Sequence, residues 1–339
     1  MRTKGMTRVT VATITAAVLL GVSAGCSSEN PSLPPASPLA SPSPAPDSGW
    51  RTPSRPSIVF RNTQAGAAFG KVASVPLTAP GGKRTVSPLS CERVYATRGA
   101  LSCMSRLATT PVGYRETLYE SDGSENLFWS LPGPPSRTRL SSDSQLAAWT
   151  SFVDGESYAN VKFATQTIIT QVHGTYYGPL DAFTFLLDAK PYYQDDLNFW
   201  GVTFASDDNT FYATAASAGK TWLVRGNLRG RTVVALREGA ECPSLSPDGK
   251  RVAFKKNLGT ADQPRWTLAV YDLASKAETV LPLTGNVDDQ ADWLDDQTLL
   301  FGIPVAGAEG DFNVYSAPAD GSRPESAFVE HASSPSVVR

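Results

Sequence analysis

Residues 245–254 read Leu245-Ser246-Pro247-Asp248-Gly249-Lys250-Arg251-Val252-Ala253-Phe254. The Pro-Asp-Gly turn supplies a tight reversal, and the short apolar run behind it is a buried strand bounded by turn signals. Downstream, Trp266-Thr-Leu-Ala-Val-Tyr-Asp-Leu273 alternates as a second strand, and Glu278-Thr-Val-Leu281 supplies a third, edge strand. Fainter copies keep this phase. Leu140-Ser-Ser-Asp143 precedes Leu146-Ala-Ala-Trp149, Phe204-Ala-Ser-Asp207 precedes Thr210-Phe-Tyr-Ala213, and Trp293-Leu-Asp-Asp296 precedes Leu299-Leu-Phe-Gly302. A degenerate copy, Leu89-Ser-Cys-Glu92, stands before Val94-Tyr-Ala-Thr97.

The acidic positions 92, 143, 207, 248 and 296 are 51, 64, 41 and 48 residues apart, which suits four-stranded propeller blades with one insertion. The short strands are apolar throughout, as expected when both sheet faces pack on neighbouring blades. Ahead of the first copy, Ile58-Val-Phe60, Val72-Ala-Ser-Val75 and Arg84-Thr-Val86 supply three strands with no leading inner strand. The final residues, Ser336-Val-Val-Arg339, fall where the next inner strand is due. The expected fold is therefore all-β: a six-bladed β-propeller of four-stranded antiparallel blades, closed by the C-terminal strand pairing in the N-terminal blade, so that no sheet is left open between the first and last blades.

The repeat resembles that of the TolB-like, or PD40, β-propeller family. The likeness rests on Ser246-Pro-Asp-Gly-Lys-Arg-Val-Ala-Phe254, on Val270-Tyr-Asp-Leu273 and on Val314-Tyr-Ser-Ala-Pro-Ala-Asp-Gly321, and it spans residues 58–339. Exported actinobacterial lipoproteins with this fold are the most similar type. The resemblance implies a binding ring in the cell envelope. TolB itself carries a separate α/β domain through which it engages the translocation machinery. Here the repeats follow directly on a Pro/Ser-rich stretch, which points away from that role.

The N-terminus supports export. Arg2, Lys4 and Arg8 precede the uncharged run from Val9 to Val22, and Ser23, Ala24 and Gly25 lead into Cys26. This resembles a bacterial lipobox, with residues 1–25 as signal peptide and Cys26 as the lipidated residue; ordinary secretory cleavage nearby is the alternative. Loss of three positive charges takes the net charge from −2 to −5, so the lipid rather than the protein surface would hold the membrane. Residues 26–57 form a tether. Within 27–57 lie nine Pro and nine Ser, and an extended polyproline chain of that length reaches roughly 95 Å. Trp50 is its one large aromatic, either docked on the ring or solvated.

Composition excludes a nucleic-acid binder, because 30 basic residues are dispersed among 32 acidic ones with no basic stripe. No catalytic motif falls in the mature chain. His173 and His331 are isolated, and the string Gly21-Val-Ser-Ala-Gly25 belongs to the signal segment. No metal ligand set and no cofactor cradle are found. Asp143, Asp207 and Asp248 are expected to cap their own turns. Asp195, Asp196, Asp288 and Asp289 lie just upstream of inner strands and, with Asp292, either line the channel mouth as a binding site or are solvated loop charges. Cys91 and Cys103 flank a hairpin about Thr97-Arg98-Gly99 and are expected to form a disulfide, leaving Cys242 buried and unpaired. The tryptophans fall at about one per blade and suit inter-blade packing. Tyr176, Tyr177, Tyr192 and Tyr193 bracket the longest interval and suggest an interaction patch.

The functional expectation is a monomeric, membrane-anchored extracytoplasmic scaffold for an envelope protein, peptide or glycan. The alternative is a propeller enzyme, a lyase or glycan hydrolase, using channel carboxylates.

Overall fold

A computed structural model describes residues 48–155, 163–260 and 263–339. The expected signal peptide, Cys26 and the expected tether up to residue 47 lie outside the described residues.

Six sheets follow one another along the chain. Blade 2 comprises Arg93–Ala96, Ala100–Leu107, Gly113–Glu120 and Glu125–Leu131, each strand antiparallel to the next. Blade 3 comprises Pro135–Leu140, Leu146–Asp154, Ala164–Gln171 and Tyr176–Pro179. Blade 5 begins with Glu241–Leu245 and Arg251–Asn257, and blade 6 with Asp292–Trp293 and Thr298–Pro304. Blade 1 is assembled from both ends. Its inner strand is Ala332–Val338, antiparallel to Ser57–Asn62 with Ile58 opposite Val337 and Ser57 opposite Val338. The closure expected from Ser336-Val-Val is thus present.

The second strands carry the core, because each is covered on both faces. Val252, Ala253 and Phe254 are fully buried, as are Leu299, Leu300 and Phe301. The aspartates of the first turns act locally, as expected. Asp248 Oδ1 accepts the Ser246 hydroxyl and the Lys250 amide, and Asp207 accepts the Thr210 amide and hydroxyl, each at 2.7 Å. Partial burial pushes both carboxyls up, but these donors hold them below the ordinary range.

Two features depart from the sequence reading. Glu92 is not the turn acid of blade 2: it precedes the inner strand Arg93–Ala96, and the turn is made by Thr97, Arg98 and Gly99. Thr97 takes the capping role, its hydroxyl accepting the Ala100 amide at 3.3 Å, so no carboxylate marks the position. Blade 4 has six strands rather than four. To Asn198–Phe204, Thr210–Ser217, Lys220–Asn227 and Thr232–Glu238 it adds Thr184–Leu187, parallel to the outer strand, and Lys190–Pro191. This hairpin is the insertion behind the 64-residue interval.

The described chain joins the ring before its first strand. Trp50 is buried among Val59, Val72, Leu101 and Tyr119, and the Thr52 amide donates to Ser121 O at 2.9 Å. Gly123 has φ +81°, and a Cβ there would strike the Trp50 carbonyl, so glycine is what lets the segment lie down. Cys91 and Cys103 form a disulfide in the same cluster, with Cα atoms 5.4 Å apart, and Cys242 is free and buried. The Cys91→Ser/Cys103→Ser variant is expected to lose about 3 kcal/mol, measured as a lower urea midpoint at unchanged slope. An unchanged midpoint would show that the bond constrains nothing.

Glu116 is fully buried in blade 2, where its Oε1 accepts the Ser102 hydroxyl at 2.5 Å. Ser102 also bonds Thr138 of blade 3, and Glu116 Oε2 has no partner among the described residues. Burial pushes the carboxyl up to about 8, so the folded protein holds it protonated at neutral pH. The unfolded chain releases that proton near pH 4.5. The stabilisation is therefore full below about pH 4.5 and is lost as pH rises through 8. Wild type should lose on the order of 3 kcal/mol relative to Glu116→Gln between pH 5 and 8, read from urea midpoints. Parallel curves for the two proteins would contradict this.

Candidate functional site: the channel and its mouth

Alternate residues of an inner strand face the axis, so Arg137 and Arg139 of blade 3 project together. Arg139 is buried and holds Asp292 at the start of blade 6, Nη1 to Oδ1 at 3.0 Å, while its Nη2 donates to Ala291 O at 2.9 Å. Its guanidinium lies 4.4 Å from the centre of the Tyr95 ring. Tyr95 donates its hydroxyl to Asp292 Oδ1 at 3.2 Å, and burial followed by the Asp292 charge pushes the phenol up to about 12. The second Asp292 oxygen accepts the Val337 amide at 2.9 Å. One buried carboxylate thus ties together blades 2, 3 and 6 and the closing strand of blade 1.

Asp288 stands at the rim, 3.0 Å from Lys255 Nζ and 3.8 Å from Arg137 Nη2. Burial works against its charge, but Lys255 and then Arg137 hold the carboxyl below its usual range. Asp289 is engaged by backbone, accepting the Gln290 amide at 2.9 Å and the Ser334 amide at 2.8 Å. Gln290 donates to Val202 O and Pro243 O and so spans blades 4 and 5.

The structure therefore gathers Asp288, Asp289 and Asp292 at the channel. It does not bring Asp195 and Asp196 to them. Asp196 caps the turn between Thr210–Ser217 and Lys220–Asn227 instead, accepting the Ser217 hydroxyl and the Ala218 amide, and Asp195 is exposed. The tyrosines also separate. Tyr193 is 74% exposed, whereas Tyr192 packs on Phe185 and bonds Ser217. The sequence reading missed Arg137, Arg139 and Lys255, the cations that meet the channel carboxylates, and Arg93 beside them. The available signal was the Arg137-Thr138-Arg139 spacing on a strand placed innermost.

At the end of the ring bearing the first turns, a depression of about 480 Å³ opens over this network. Its lining includes Tyr95, Arg98, Asp207, Asp248, Trp293 and Arg339. Arg339 is pinned by Trp293 O at 2.9 Å and Leu294 O at 2.6 Å, so the wall is preset. The lining mixes both signs of charge with the hydroxyls of Thr97, Ser142 and Ser206, which can take hydrogen-bonding ligands. The histidines lie apart from it: His331 Nδ1 meets Asp311 at 2.7 Å, and His173 meets Glu120 at 3.2 Å. Among the described residues no three His, Cys, Asp or Glu side chains are grouped to hold a metal ion.

No protein-family profile and no curated protein sequence matches the chain. Solved structures do. TolB from Acinetobacter baumannii superposes with a TM-score of 0.59 at 15% identity, over 84% of this chain and 67% of that one. A chain of a nidogen/laminin complex gives 0.52 at 10% identity, over 83% and 98%. An oligogalacturonate lyase in complex with manganese gives 0.48 at 11% identity, over 80% and 76%. At such identities it is architecture that is shared: the chain is a six-bladed β-propeller with the fold of TolB.

Proposed function

We propose that the chain is a non-catalytic binding or scaffold module of the bacterial envelope, held to the membrane by lipid on Cys26 and receiving a protein, peptide or glycan in the 480 Å³ depression. The observation that carries this reading is the pairing of that open, preset depression with a channel whose carboxylates are already engaged. Asp288 and Asp292 are salt-bridged, and Asp289 is capped by amides. A glycan-cleaving pair needs two carboxyl groups facing each other across about 5–9 Å of free space, and these groups are committed elsewhere. The export pattern ending in Cys26 supports the location.

A photocrosslinking residue in place of exposed Ser142, at the rim, tests the binding surface in intact cells, with Val153 on a second strand as control. The expected result is a discrete adduct from position 142 that is absent from 153. Identical adducts from both positions, or none from 142, would overturn the reading. Cells fed radiolabelled palmitate should label the wild-type chain and not Cys26→Ala, and an unlabelled wild-type chain would remove the lipid anchor.

A further inference from the structure

The two ends of the ring are built from different residues. The depression is lined from all six blades, by Thr97, Ser142, Asp207, Asp248, Trp293 and Arg339 where their inner strands end. Successive strands are antiparallel, so the turns between second and third strands lie at the opposite end, beyond the pairs Arg61 with Val72, Leu107 with Gly113 and Asn257 with Trp266. Turns at the depression end are charged, carrying Asp143, Asp207, Asp208, Asp248, Asp295 and Asp296. At the far end residues 63–70, Thr-Gln-Ala-Gly-Ala-Ala-Phe-Gly, and 108–112, Ala-Thr-Thr-Pro-Val, carry no charge.

Five blades each present one exposed large apolar side chain at that far end. Phe69, Val112 and Leu258 stand in the second-to-third strand turns of blades 1, 2 and 5, and Val153 lies near the end of the second strand of blade 3, at 40–54% exposure. Tyr193 stands by the corresponding turn of blade 4, since its neighbour Tyr192 bonds Ser217 there. The other exposed large apolar side chains among the described residues, Val86, Val234, Leu236 and Val280, lie on outer strands, and none is in a turn at the depression end. The five come from separate positions around the ring, so no single groove collects them, whereas a planar apolar medium meets all of them at once.

We propose that the end of the ring opposite the depression is a bilayer-docking surface, on which Phe69, Val112, Val153, Tyr193 and Leu258 dip into the headgroup region once the tether holds the protein at the membrane. The proposal rests on the membrane anchoring read from Cys26. Asp154 and Asp195, exposed beside Val153 and Tyr193, confine the contact to the tips. The described chain begins at the depression end, where the Ser48 hydroxyl donates to Gly123 O. The 21 residues from 27 to 47 reach about 65 Å at about 3.1 Å each, against about 26 Å for the height of an eight-residue strand, so an anchor on Cys26 permits the far end to meet the membrane. Docking in this way turns the depression away from the bilayer, towards partners in the envelope.

The mature chain, coupled through Cys26 to maleimide-bearing lipid in phosphatidylcholine vesicles, tests this whether or not cells acylate that residue. Cys26 is the thiol that reacts, because Cys91 and Cys103 are bonded and Cys242 is buried. A nitrobenzoxadiazole dye on a clickable residue at position 112 should brighten, shift to the blue and be quenched by nitroxide on the lipid chains, while the same dye at position 142 should not respond. The double variant Phe69→Ser/Leu258→Ser should lose most of the signal at 112 while keeping the wild-type urea midpoint, since both side chains are exposed. No response at 112, equal responses at 112 and 142, or an undiminished response in the double variant would overturn the proposal. So would brightening at 112 without vesicles, which would assign the surface to a second copy of the chain. Absence of palmitate label in cells would strike the anchor alone and leave the vesicle result standing.

Discussion

A chain stopped after Glu330 is expected to lose cooperative folding. The stop removes Ala332–Val338, the inner strand of blade 1, through which the two ends of the ring are paired. Ala332, Ser336 and Val338 are fully buried, and Val337 nearly so. Their loss uncovers Ile58, Val59 and Phe60, and leaves the ladder edge of Ser57–Asn62 without a partner. It also removes cross-blade bonds, for Ser336 Oγ accepts the Ala96 amide at 3.0 Å and donates to Val59 O at 3.2 Å. Burial of apolar side chains at about 1.5–3 kcal/mol each, with the ladder bonds added, brings the loss to on the order of 10 kcal/mol. That is comparable to the whole stability of a typical domain. The truncated protein should aggregate or show no sigmoidal urea transition. A wild-type midpoint would mean that the ring closes without its tail. Ser336→Ala is the graded version, expected to cost about 1–3 kcal/mol because it strands a buried amide.

Asp292→Ala is the second large effect, about 3–5 kcal/mol by urea unfolding. The substitution leaves Arg139 charged and buried with the Ala291 carbonyl and the Tyr95 ring but no carboxylate, deprives Tyr95 of its acceptor and frees the Val337 amide. The penalty arises from the orphaned cation more than from the pair itself. Replacing both partners by apolar residues of similar volume, Asp292→Leu with Arg139→Met, should therefore recover much of the loss. Should Asp292→Ala cost less than about 1 kcal/mol, the pair would be behaving as a solvated surface bridge and the channel would not be closed.

How much of this was legible in sequence depended on whether the signal was local. The turns at Asp143, Asp207 and Asp248 were readable because each caps amides two or three residues away. The Cys91–Cys103 bond was readable because a single hairpin separates the two residues. Closure was readable as a strand missing at one end and a strand left over at the other. The phase of blade 2 was lost where Thr97 replaces the aspartate. The extra hairpin of blade 4 was hidden because Thr184–Leu187 pairs in parallel with residues 48 positions away, which no turn announces. The acidic pairs were visible, but their neutralisation was not. Arg139 lies 153 residues from Asp292, and only the ring geometry brings the two together.

Hydrogen exchange of the tail amides tests the closed ring most directly. The account predicts that Val337 and Val338 exchange as slowly as the buried second strands, at the rate of global unfolding, because their strand is locked between blades 1, 2 and 6. Exchange of those amides within seconds, while Val252 to Phe254 remain protected, would contradict it.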